Sequence, residues 1–363
     1  MDSKLKRLRS RFKKAEIDSI VVTNLHNVRW LTGYSGTNGV AVVSKRHAIF
    51  LTDFRYTEQA AKEIKGSGFK LHEATRDLIS TLKDIDPKVF GKKAGFESEY
   101  LQYKNYRAVN RALRGIKLVP TEGILTGLRE VKDKSEVSLI RRAVKLTDEI
   151  FSEILPLIKP GVSEMDLMAE IEYRAHLKGA YASFETIVAS GYRGALPHGR
   201  ASAKKIKKGE MITFDFGVVY KGYTSDMTRT VVVGKASEKQ KKIYDLVLRA
   251  NIAGIKAVKP GVSARDVDTA ARDIITEEGY GDRFGHALGH GIGICVQGDR
   301  INIHEGPILA QRSKAVLKEG NIVTVEPGIY IPRWGGVRIE DDVLVTKNGC
   351  SIMTKSPKNL MEL

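Results

Sequence analysis

Short apolar runs alternate with amphipathic stretches along the first part of the chain. The apolar runs are rich in β-branched residues, which is typical of strands, and the longer stretches repeat their apolar positions with a helical period. The strand-like runs are 20–23, 40–43 and 48–51, and the helix-like stretches are 54–65 and 103–113. Strands that alternate with helices in this way predict a small α/β domain.

The length of the chain predicts more than one domain. Its 363 residues exceed what a typical small domain holds. Pro120 and two glycines interrupt the pattern over 120–127, which favours a loop there. We therefore predict an α/β domain over 1–120, a linker over 121–129 and a second domain over 130–363.

The second part of the chain contains a repeated pentapeptide. The sequence KPGVS at 159–163 recurs unchanged at 259–263. Each copy follows a helical stretch and precedes another, for which Ser163 or Ser263 is a suitable N-cap. Matching contexts around an identical motif predict two related halves of one duplicated domain, with a site between the halves.

Composition excludes several classes of protein. The net charge is +17, but the basic residues are scattered and accompany no nucleic-acid-binding motif, which favours a solvated surface over a nucleic-acid site. No apolar run approaches the roughly 18 residues of a membrane-spanning helix, and the basic N-terminus lacks the apolar core of a secretory signal. Cys295 and Cys350 form no paired motif, which is typical of a reducing cytoplasm.

Two acidic residues lie near each other on the first hairpin that we predict in the second domain. This hairpin covers 211–233, and a centre between Tyr220 and Lys221 sets Asp215 almost opposite Asp226. Directly opposed side chains lie about 4.5–5.5 Å apart at Cβ. Two carboxylates at that distance repel each other unless a cation lies between them, so the pattern favours a metal site over a surface acid pair.

A second acidic pair follows the same logic over 323–345. Pairing about Arg333 places Glu326 opposite Glu340. An imidazole is available from the glycine-rich run GHALGHGIG at 285–293, which lacks both a dinucleotide fingerprint and the lysine of a P-loop. Four carboxylates and an imidazole suit Mn, Co, Fe or Zn, and four negative charges balance two divalent cations.

The motifs LPHGR, FDFG, YTSDMTRT, GHALGHGIG, VEPGIY and GGVRIED occur in this order from residue 196 to residue 341. Together they resemble the pita-bread metallopeptidases, which include methionine aminopeptidase, aminopeptidase P and prolidase. The resemblance implies an α+β fold, in which a small α/β N-terminal domain precedes a pita-bread (creatinase/aminopeptidase) domain with internal pseudo-twofold duplication. The stretches NVRWLTGYSGTNG and LTDFRYTEQA resemble the N-terminal domain of prolidase and aminopeptidase P, which methionine aminopeptidases lack.

The implied activity is that of a dinuclear metal-dependent exopeptidase that hydrolyses the Xaa-Pro bond of dipeptides or of peptide N-termini. A methionine aminopeptidase-like peptidase and a non-catalytic pita-bread binding protein are the alternatives. The resemblance also implies two divalent metal ions per subunit, with Mn or Co preferred over Zn or Fe. The implied partners are a proline-containing peptide and a second copy of the chain in a cytoplasmic homodimer, without membrane or nucleic acid.

The resemblance further implies how the metals are held. Asp215 would bind one metal, and His290 and Glu326 the other. Asp226 and Glu340 would bridge the two metals. A hydroxide shared between the metals is the implied nucleophile, and Glu326 would accept and pass on its proton.

The remaining site residues are implied to act on the substrate. His198 resembles a histidine that contacts the substrate near the scissile bond, and His286 resembles one that shapes the pocket. His304 resembles the histidine that stabilises the oxyanion. Arg338 resembles an arginine that steadies the ligands and the substrate.

Two departures from the relatives concern the entrance of the pocket. About seven residues are inserted around Ile294–Asn302, and Gln297 stands where the spacing predicts a histidine. Ile308 replaces an arginine that many prolidases use for the substrate carboxylate. Both departures leave open whether the substrate is a dipeptide or a longer peptide.

Overall fold

The computed structural model of the protein describes residues 3–296 and 304–363. These described residues form two compact units, and the boundary along the chain lies between Arg129 and Glu130. Each unit has its own buried apolar cluster.

The first unit is a mixed sheet with helices, as the alternating pattern predicts. Its strands are β1 (Ser19–Val22), β2 (Val40–Ser44), β3 (Ala48–Asp53), β4 (Lys70–Ala74), β5 (Lys93–Glu97) and β6 (Lys117–Thr121). Its helices are α1 (Ser3–Arg9), α2 (Phe12–Ala15), α3 (Leu25–Thr32), α4 (Thr57–Glu63), α5 (Leu78–Thr81), α6 (Pro87–Phe90), α7 (Tyr103–Ala112) and α8 (Ile124–Arg129). The strand order is β4-β3-β2-β1-β5-β6, and β2 runs antiparallel to both of its neighbours.

Residues 121–129, for which we predict a linker, contain the helix α8 instead of a continuous loop. Pro120 belongs to the edge strand β6, where a residue without an N–H is tolerated. Leu125 and Leu128 are buried, and Arg129 Nη1 donates to Asn27 Oδ1 at 2.7 Å within the first unit. Apolar burial therefore determines the structure of this stretch more strongly than its proline and glycines do.

The second unit combines four long helices with several sheets in its described residues. The helices are α9 (Lys134–Ile154), α10 (Glu164–Leu177), α11 (Glu238–Ala257) and α12 (Ala264–Glu277). The strands are β7 (Tyr181–Ala182), β8 (Ile187–Ser190), β9 (Met211–Phe216), β10 (Val218–Tyr220), β11 (Tyr223–Thr224), β12 (Met227–Val232), β13 (Gly289–Gly291), β14 (Glu305–Leu309), β15 (Ile322–Val325), β16 (Gly328–Ile331), β17 (Gly335–Arg338), β18 (Asp341–Thr346), β19 (Gly349–Ile352) and β20 (Met361–Glu362). The sheet orders are β20-β12-β9-β8, β14-β13-β15-β18-β19, β11-β10-β7 and β16-β17.

The repeated pentapeptide occupies equivalent places in two halves of this unit, which confirms the predicted duplication. One copy joins α9 to α10 and the other joins α11 to α12. Gly161 N donates to Ile206 O at 3.0 Å, and Gly261 N donates to Leu317 O at 2.9 Å. The apolar faces of each helix pair pack on the sheet of their own half.

Both predicted N-caps form, and we expect them to stabilise the two halves equally. Ser163 accepts from Asp166 N, and Ser263 accepts from Asp266 N. Replacing either serine by alanine should lower the free energy of unfolding by about 1 kcal/mol, measured by urea denaturation. The control is S152A on the exposed part of α9, which should change stability by less than about 0.5 kcal/mol. An unchanged stability in only one capping variant would contradict the equivalence of the halves.

The register of the first acidic hairpin differs by two residues from the predicted one. Asp215 pairs with Thr228 across β9 and β12, so it does not lie opposite Asp226. The turn consists of Lys221 and Gly222, whose φ angles are 48° and 86°. Positive φ at both central residues is typical of a two-residue hairpin turn, which moves the centre of the hairpin by one residue. Asp226 is consequently a diagonal neighbour of Asp215.

The register of the second acidic hairpin is the predicted one. The ladders of β16 with β17 and of β15 with β18 are both centred on Arg333, which adopts a φ of 64° at the tip. Val325 lies opposite Asp341. The same register places Glu326 opposite Glu340, between the two ladders.

Candidate metal centre

A cavity of about 500 Å³ in the second unit brings together every residue that the sequence predicts for the site. Additional lining residues include Phe184, Glu185, Arg200, Ile308 and Tyr330. The predicted residues in its wall are His198, Asp215, Asp226, His286, His290, His304, Glu326, Arg338 and Glu340. The predicted insertion lies mostly outside the described residues, which resume at His304.

Strand ends and short interruptions between strands position the acidic side chains. Asp215 lies near the end of β9, and Asp226 immediately precedes β12. Glu326 N donates to Leu288 O at 2.8 Å, and Glu340 N donates to Thr228 O at 3.1 Å. These backbone bonds join the acidic residues of the second hairpin to the chain within two residues of His290 and of Asp226.

Three side chains are close enough to share a metal ion. One ligand atom from each of Asp226, His290 and Glu340 lies within 4.8 Å of the other two. His290 Nδ1 donates to Gly291 O at 3.0 Å, which leaves Nε2 as the unprotonated ring nitrogen. This Nε2 lies 3.6 Å from Asp226 Oδ2 and 3.5 Å from Glu326 Oε1.

The pKa shifts of the side chains in this cluster favour a bound cation. Burial, followed by repulsion from neighbouring carboxylates, raises the pKa of Asp226 and of Glu340 well above their ordinary values. Burial also raises the pKa of Glu326 to about 8, and it lowers the pKa of His290 to about 3. A neutral imidazole beside crowded carboxylates is the protonation state in which a histidine can bind a metal.

Unpartnered oxygen atoms point to the same conclusion. Asp226 Oδ1 and Glu340 Oε1 are buried and have no hydrogen-bond donor among residues 3–296 and 304–363. Buried carboxylate oxygens normally have a partner, because their desolvation is otherwise unfavourable. Hard oxygen donors with one imidazole suit divalent cations, so the residues of this cavity fit the metal ions that the sequence implies.

Two threonines that the sequence analysis missed orient the carboxylates. Thr228 Oγ1 donates to Glu340 Oε2 at 2.7 Å, and Thr324 Oγ1 donates to Glu326 Oε1 at 3.0 Å. Thr324 precedes Glu326 by two residues, and Thr228 follows Asp226 by two. Since residues two apart along an extended chain share a face, this spacing was an available signal for Thr324. Thr228 and Glu340 are 112 positions apart, and no local pattern relates them.

Arg338 connects the ligand cluster to the wall of the pocket. Its Nη2 donates to Asp215 Oδ2, and its Nη1 donates to the hydroxyl of Tyr330 at 2.7 Å. The hydroxyl of Tyr330, a third residue missed in the sequence, lies 2.9 Å from His286 Nε2. Burial lowers the pKa of His286 to about 4, so the Nε2 of the neutral ring accepts a hydrogen bond from the Tyr330 hydroxyl while its Nδ1 donates to Ala287 O.

The other two predicted histidines differ in their surroundings. The ring of His304 stacks on that of His290, with centroids 3.8 Å apart and planes inclined by 25°. His198 lies on an exposed loop, where the carbonyl of its neighbour Pro197 accepts from Arg338 Nη1 at 3.3 Å. Both side chains border the same cavity, and the ring of His304 contacts the candidate ligand His290.

A buried polar network supports the ligand strands from behind. Arg229, which is 0% exposed, donates to Asp341 Oδ1 and to Ser356 O, each at 2.8 Å. Arg229 also donates to the carbonyl of Glu340. The backbone N–H of Asp226 donates to Asp342 Oδ2 at 3.0 Å, so the residue next in sequence to Asp341 holds a candidate ligand directly.

None of the helices described here has the length and apolar character required to cross a membrane.

Comparisons with known proteins place the chain in a family. The profile of metallopeptidase family M24 matches residues 138–347, and that of the Creatinase/Prolidase N-terminal domain matches residues 4–131. The chain is 44% identical over 361 residues to an uncharacterized peptidase, YqhT, of Bacillus subtilis, with 99% of this chain and 100% of the relative covered. It is 35% identical to the Xaa-Pro dipeptidase of Pyrococcus horikoshii, with 99% of both chains covered.

Solved structures agree with this placement. The Xaa-Pro dipeptidase from Bacillus anthracis superimposes with a TM-score of 0.94 at 46% identity, covering 99% of both chains. The X-Pro aminopeptidase from Thermotoga maritima superimposes with a TM-score of 0.89 at 34% identity, covering 99% of this chain and 100% of that one. The predicted resemblance and fold class are thereby confirmed: the chain belongs to metallopeptidase family M24, with a creatinase/prolidase-type N-terminal domain before its pita-bread domain.

Proposed function

We propose that the protein is a dinuclear metal-dependent exopeptidase that hydrolyses the Xaa-Pro bond of dipeptides or of peptide N-termini. The observation that carries the proposal is the convergence of the five predicted metal ligands, four carboxylates and one imidazole, in a single cavity. Relatives named Xaa-Pro dipeptidase and X-Pro aminopeptidase, which match nearly the whole chain, support the choice of a proline-containing peptide. A cytoplasmic homodimer, inferred from the resemblance, is part of the same proposal.

Five side chains would hold two divalent ions, with Mn or Co as the preferred metals. They are Asp215, Asp226, His290, Glu326 and Glu340, all of which line the cavity. The four carboxylates would neutralise the charge of two such ions. Divalent ions in a site of this kind lower the pKa of water enough to supply hydroxide near neutral pH.

The side chains of the cavity would divide the remaining tasks. Thr324 engages Glu326 Oε1, so Glu326 Oε2 is the atom that would take up and pass on a proton. His304 would donate to the developing oxyanion from its position against His290. His286, Tyr330 and Arg338 would form a fixed wall, since each hydrogen-bonds to the next.

Apolar and charged groups in the cavity would select the substrate. Phe184 and Ile308 offer apolar surface against which a proline ring could pack. Arg200 lies in the same wall and pairs with Glu185 at 2.8 Å, where it is largely exposed. With Ile308 in place of an arginine, we propose that peptides longer than two residues are accepted as well as dipeptides.

The experiment is to supply purified protein with Mn, Co or Zn and follow the hydrolysis of Ala-Pro, Ala-Pro-Ala and Ala-Ala-Ala. We expect cleavage of the Ala-Pro bond, with Ala-Ala-Ala cleaved at least about tenfold more slowly, a difference of about 1.4 kcal/mol in transition-state binding. Intact Ala-Pro and Ala-Pro-Ala under all three metals would refute the proposal. Preferential removal of methionine from Met-Ala-Ser would instead favour the methionine aminopeptidase-like alternative.

A further inference from the structure

A buried ion pair lies outside the wall of the cavity and next to one of its histidines. Lys132 Nζ and Glu305 Oε2 are 3.1 Å apart, and their side chains are only 1% and 7% exposed. Lys132 lies just before α9, and its backbone N–H donates to Gly320 O at 2.8 Å. Glu305 begins β14 and directly follows His304. Neither residue is among the described residues that line the cavity.

The other oxygen of the Glu305 carboxylate binds the backbone at Ile294, which precedes residues 297–303 in the sequence. Glu305 Oε1 accepts from Ile294 N at 3.1 Å. A Cβ at Gly293 would come within 2.5 Å of Glu305 Oε2, so a side chain there would displace the carboxylate. Gly293 O in turn accepts from Thr224 N at 2.9 Å, two residues before Asp226. The carboxylate therefore ties the start of β14 to the chain that leads into the ligand cluster.

This tie has a direct consequence for His304. Glu305 pairs with Gly291 across β14 and β13, beside the candidate ligand His290. Because successive side chains along extended chain point to opposite faces, Glu305 turned toward Lys132 directs His304 to the cavity side. The stacking of the His304 ring on that of His290, with centroids 3.8 Å apart, agrees with this orientation.

A buried ion pair is a poor means of stabilising a fold. Replacing such a pair by apolar residues of similar volume is often neutral or stabilising, whereas removing one partner leaves an uncompensated buried charge. A positional role accounts better for a pair whose acceptor also fixes a backbone N–H beside a site histidine. We propose that Glu305, held by Lys132, is a positioning residue that fixes His304 against His290. The role of His304 in hydrolysis rests on the proposed function.

Two double variants separate the positional role from the ion pair itself. Both K132M/E305Q and K132M/E305L remove the buried charges, but only glutamine keeps an oxygen that can accept from Ile294 N. We expect K132M/E305Q to keep kcat for Ala-Pro within about threefold of the wild type. We expect K132M/E305L to lose about 10- to 100-fold in kcat, the usual range for residues that orient others in a metal site. KM should change little, because a mispositioned His304 affects the transition state.

Amide hydrogen exchange provides a readout that does not depend on activity. In metal-free protein, the amide of Ile294 should exchange faster in K132M/E305L than in K132M/E305Q or the wild type. The exposed pair Lys62 and Glu58 supplies the control, since K62M/E58L should alter neither exchange nor kcat. Equal kcat in the two double variants, or equal exchange at Ile294, would overturn the proposal. If the wild type cleaves no Xaa-Pro peptide, the proposed function fails while the exchange result still tests the tie.

Discussion

Replacing Asp226 by asparagine should empty at least one metal site and abolish most of the activity. Asparagine preserves the shape of the side chain and the backbone bond to Asp342, but it removes the charge of a carboxylate whose Oδ1 is buried and unpartnered in the described part of the chain. Metal ions stabilise transition-state charge by several kcal/mol, and each 1.36 kcal/mol is a factor of ten. We therefore expect a loss in kcat/KM of at least about a thousandfold.

The measurement combines elemental analysis with kinetics on Ala-Pro. The same substitution at Asp245, which is 67% exposed and paired with Arg249, is the matched control and should leave occupancy and kcat/KM unchanged. A D226N protein that retains full metal occupancy would show that Asp226 is not a ligand. Circular dichroism of both variants establishes that the fold is retained.

The register of the two acidic hairpins illustrates how far local sequence determines this site. The second hairpin was predicted correctly because its centre at Arg333 places two acidic residues symmetrically about a turn. The register of the first hairpin differs from the predicted one because Lys221 adopts a positive φ, so that Lys221 and Gly222 form the whole turn. Glycine marks a turn but does not specify which neighbour shares it. Asp215 and Asp226 nevertheless line the same cavity, although diagonal neighbours in a sheet lie about 7–8 Å apart.

Residues that act through long-range contacts escaped the sequence analysis. Arg229 is separated from Asp341 by 112 positions, and its other acceptors include the carbonyl of Ser356 in the C-terminal segment. Nothing in the local pattern around either residue indicates this partnership. Tyr330 likewise has the sequence context of an ordinary strand residue, and only the folded structure shows that its hydroxyl contacts Arg338 and His286. The motif residues were predictable, whereas the hydrogen bonds that orient them depend on the assembled sheets.

At the boundary of the first unit, packing determines the structure against strong local sequence signals. Pro120 and its neighbouring glycines are strong loop signals, yet the chain continues into a strand and then α8. Burial of Leu125 and Leu128 stabilises this helix despite Gly127 in its interior. Burying an apolar side chain contributes about 1.5–3 kcal/mol, which exceeds the roughly 1 kcal/mol that a glycine costs a helix.

Stripping the metal should make the stability of the protein fall as pH rises above about 6.5. Burial raises the pKa of Glu326 from 4.5 to about 8, and it raises the pKa of Asp226 and Glu340 in the same direction. A carboxyl whose pKa is higher in the folded state binds more protons when folded. Its stabilising contribution is therefore full below pH 4.5 and is lost as pH rises toward about 8.

The buried histidines determine the lowest pH at which the effect of the carboxyl groups on stability can be measured by itself. Burial lowers the pKa of His286 from 6.5 to about 4, and that of His290 to about 3. Such groups bind more protons when unfolded, so their effect is a stability that rises with pH up to 6.5 and then stays constant. Between pH 6.5 and about 8 the histidines no longer change the stability with pH, so the loss of stability caused by the carboxyl groups is not offset by them.

Within that window we expect EDTA-treated protein to lose at least about 1.5 kcal/mol, because each proton retained in the folded state contributes about 1.4 kcal/mol per pH unit. Metal-loaded protein should show no such fall, since a bound cation keeps the carboxylates ionised in the folded state and stabilises it by mass action. Urea unfolding of both forms across the window makes the comparison, and the difference between them cancels titrating groups elsewhere, such as the buried Glu97. In E326Q the metal-free slope should become shallower, because one titrating carboxyl is gone. A metal-free stability that is flat or rising with pH would mean that these carboxyls are not crowded together without a cation, and the assignment of the cavity as a metal centre would fail with it.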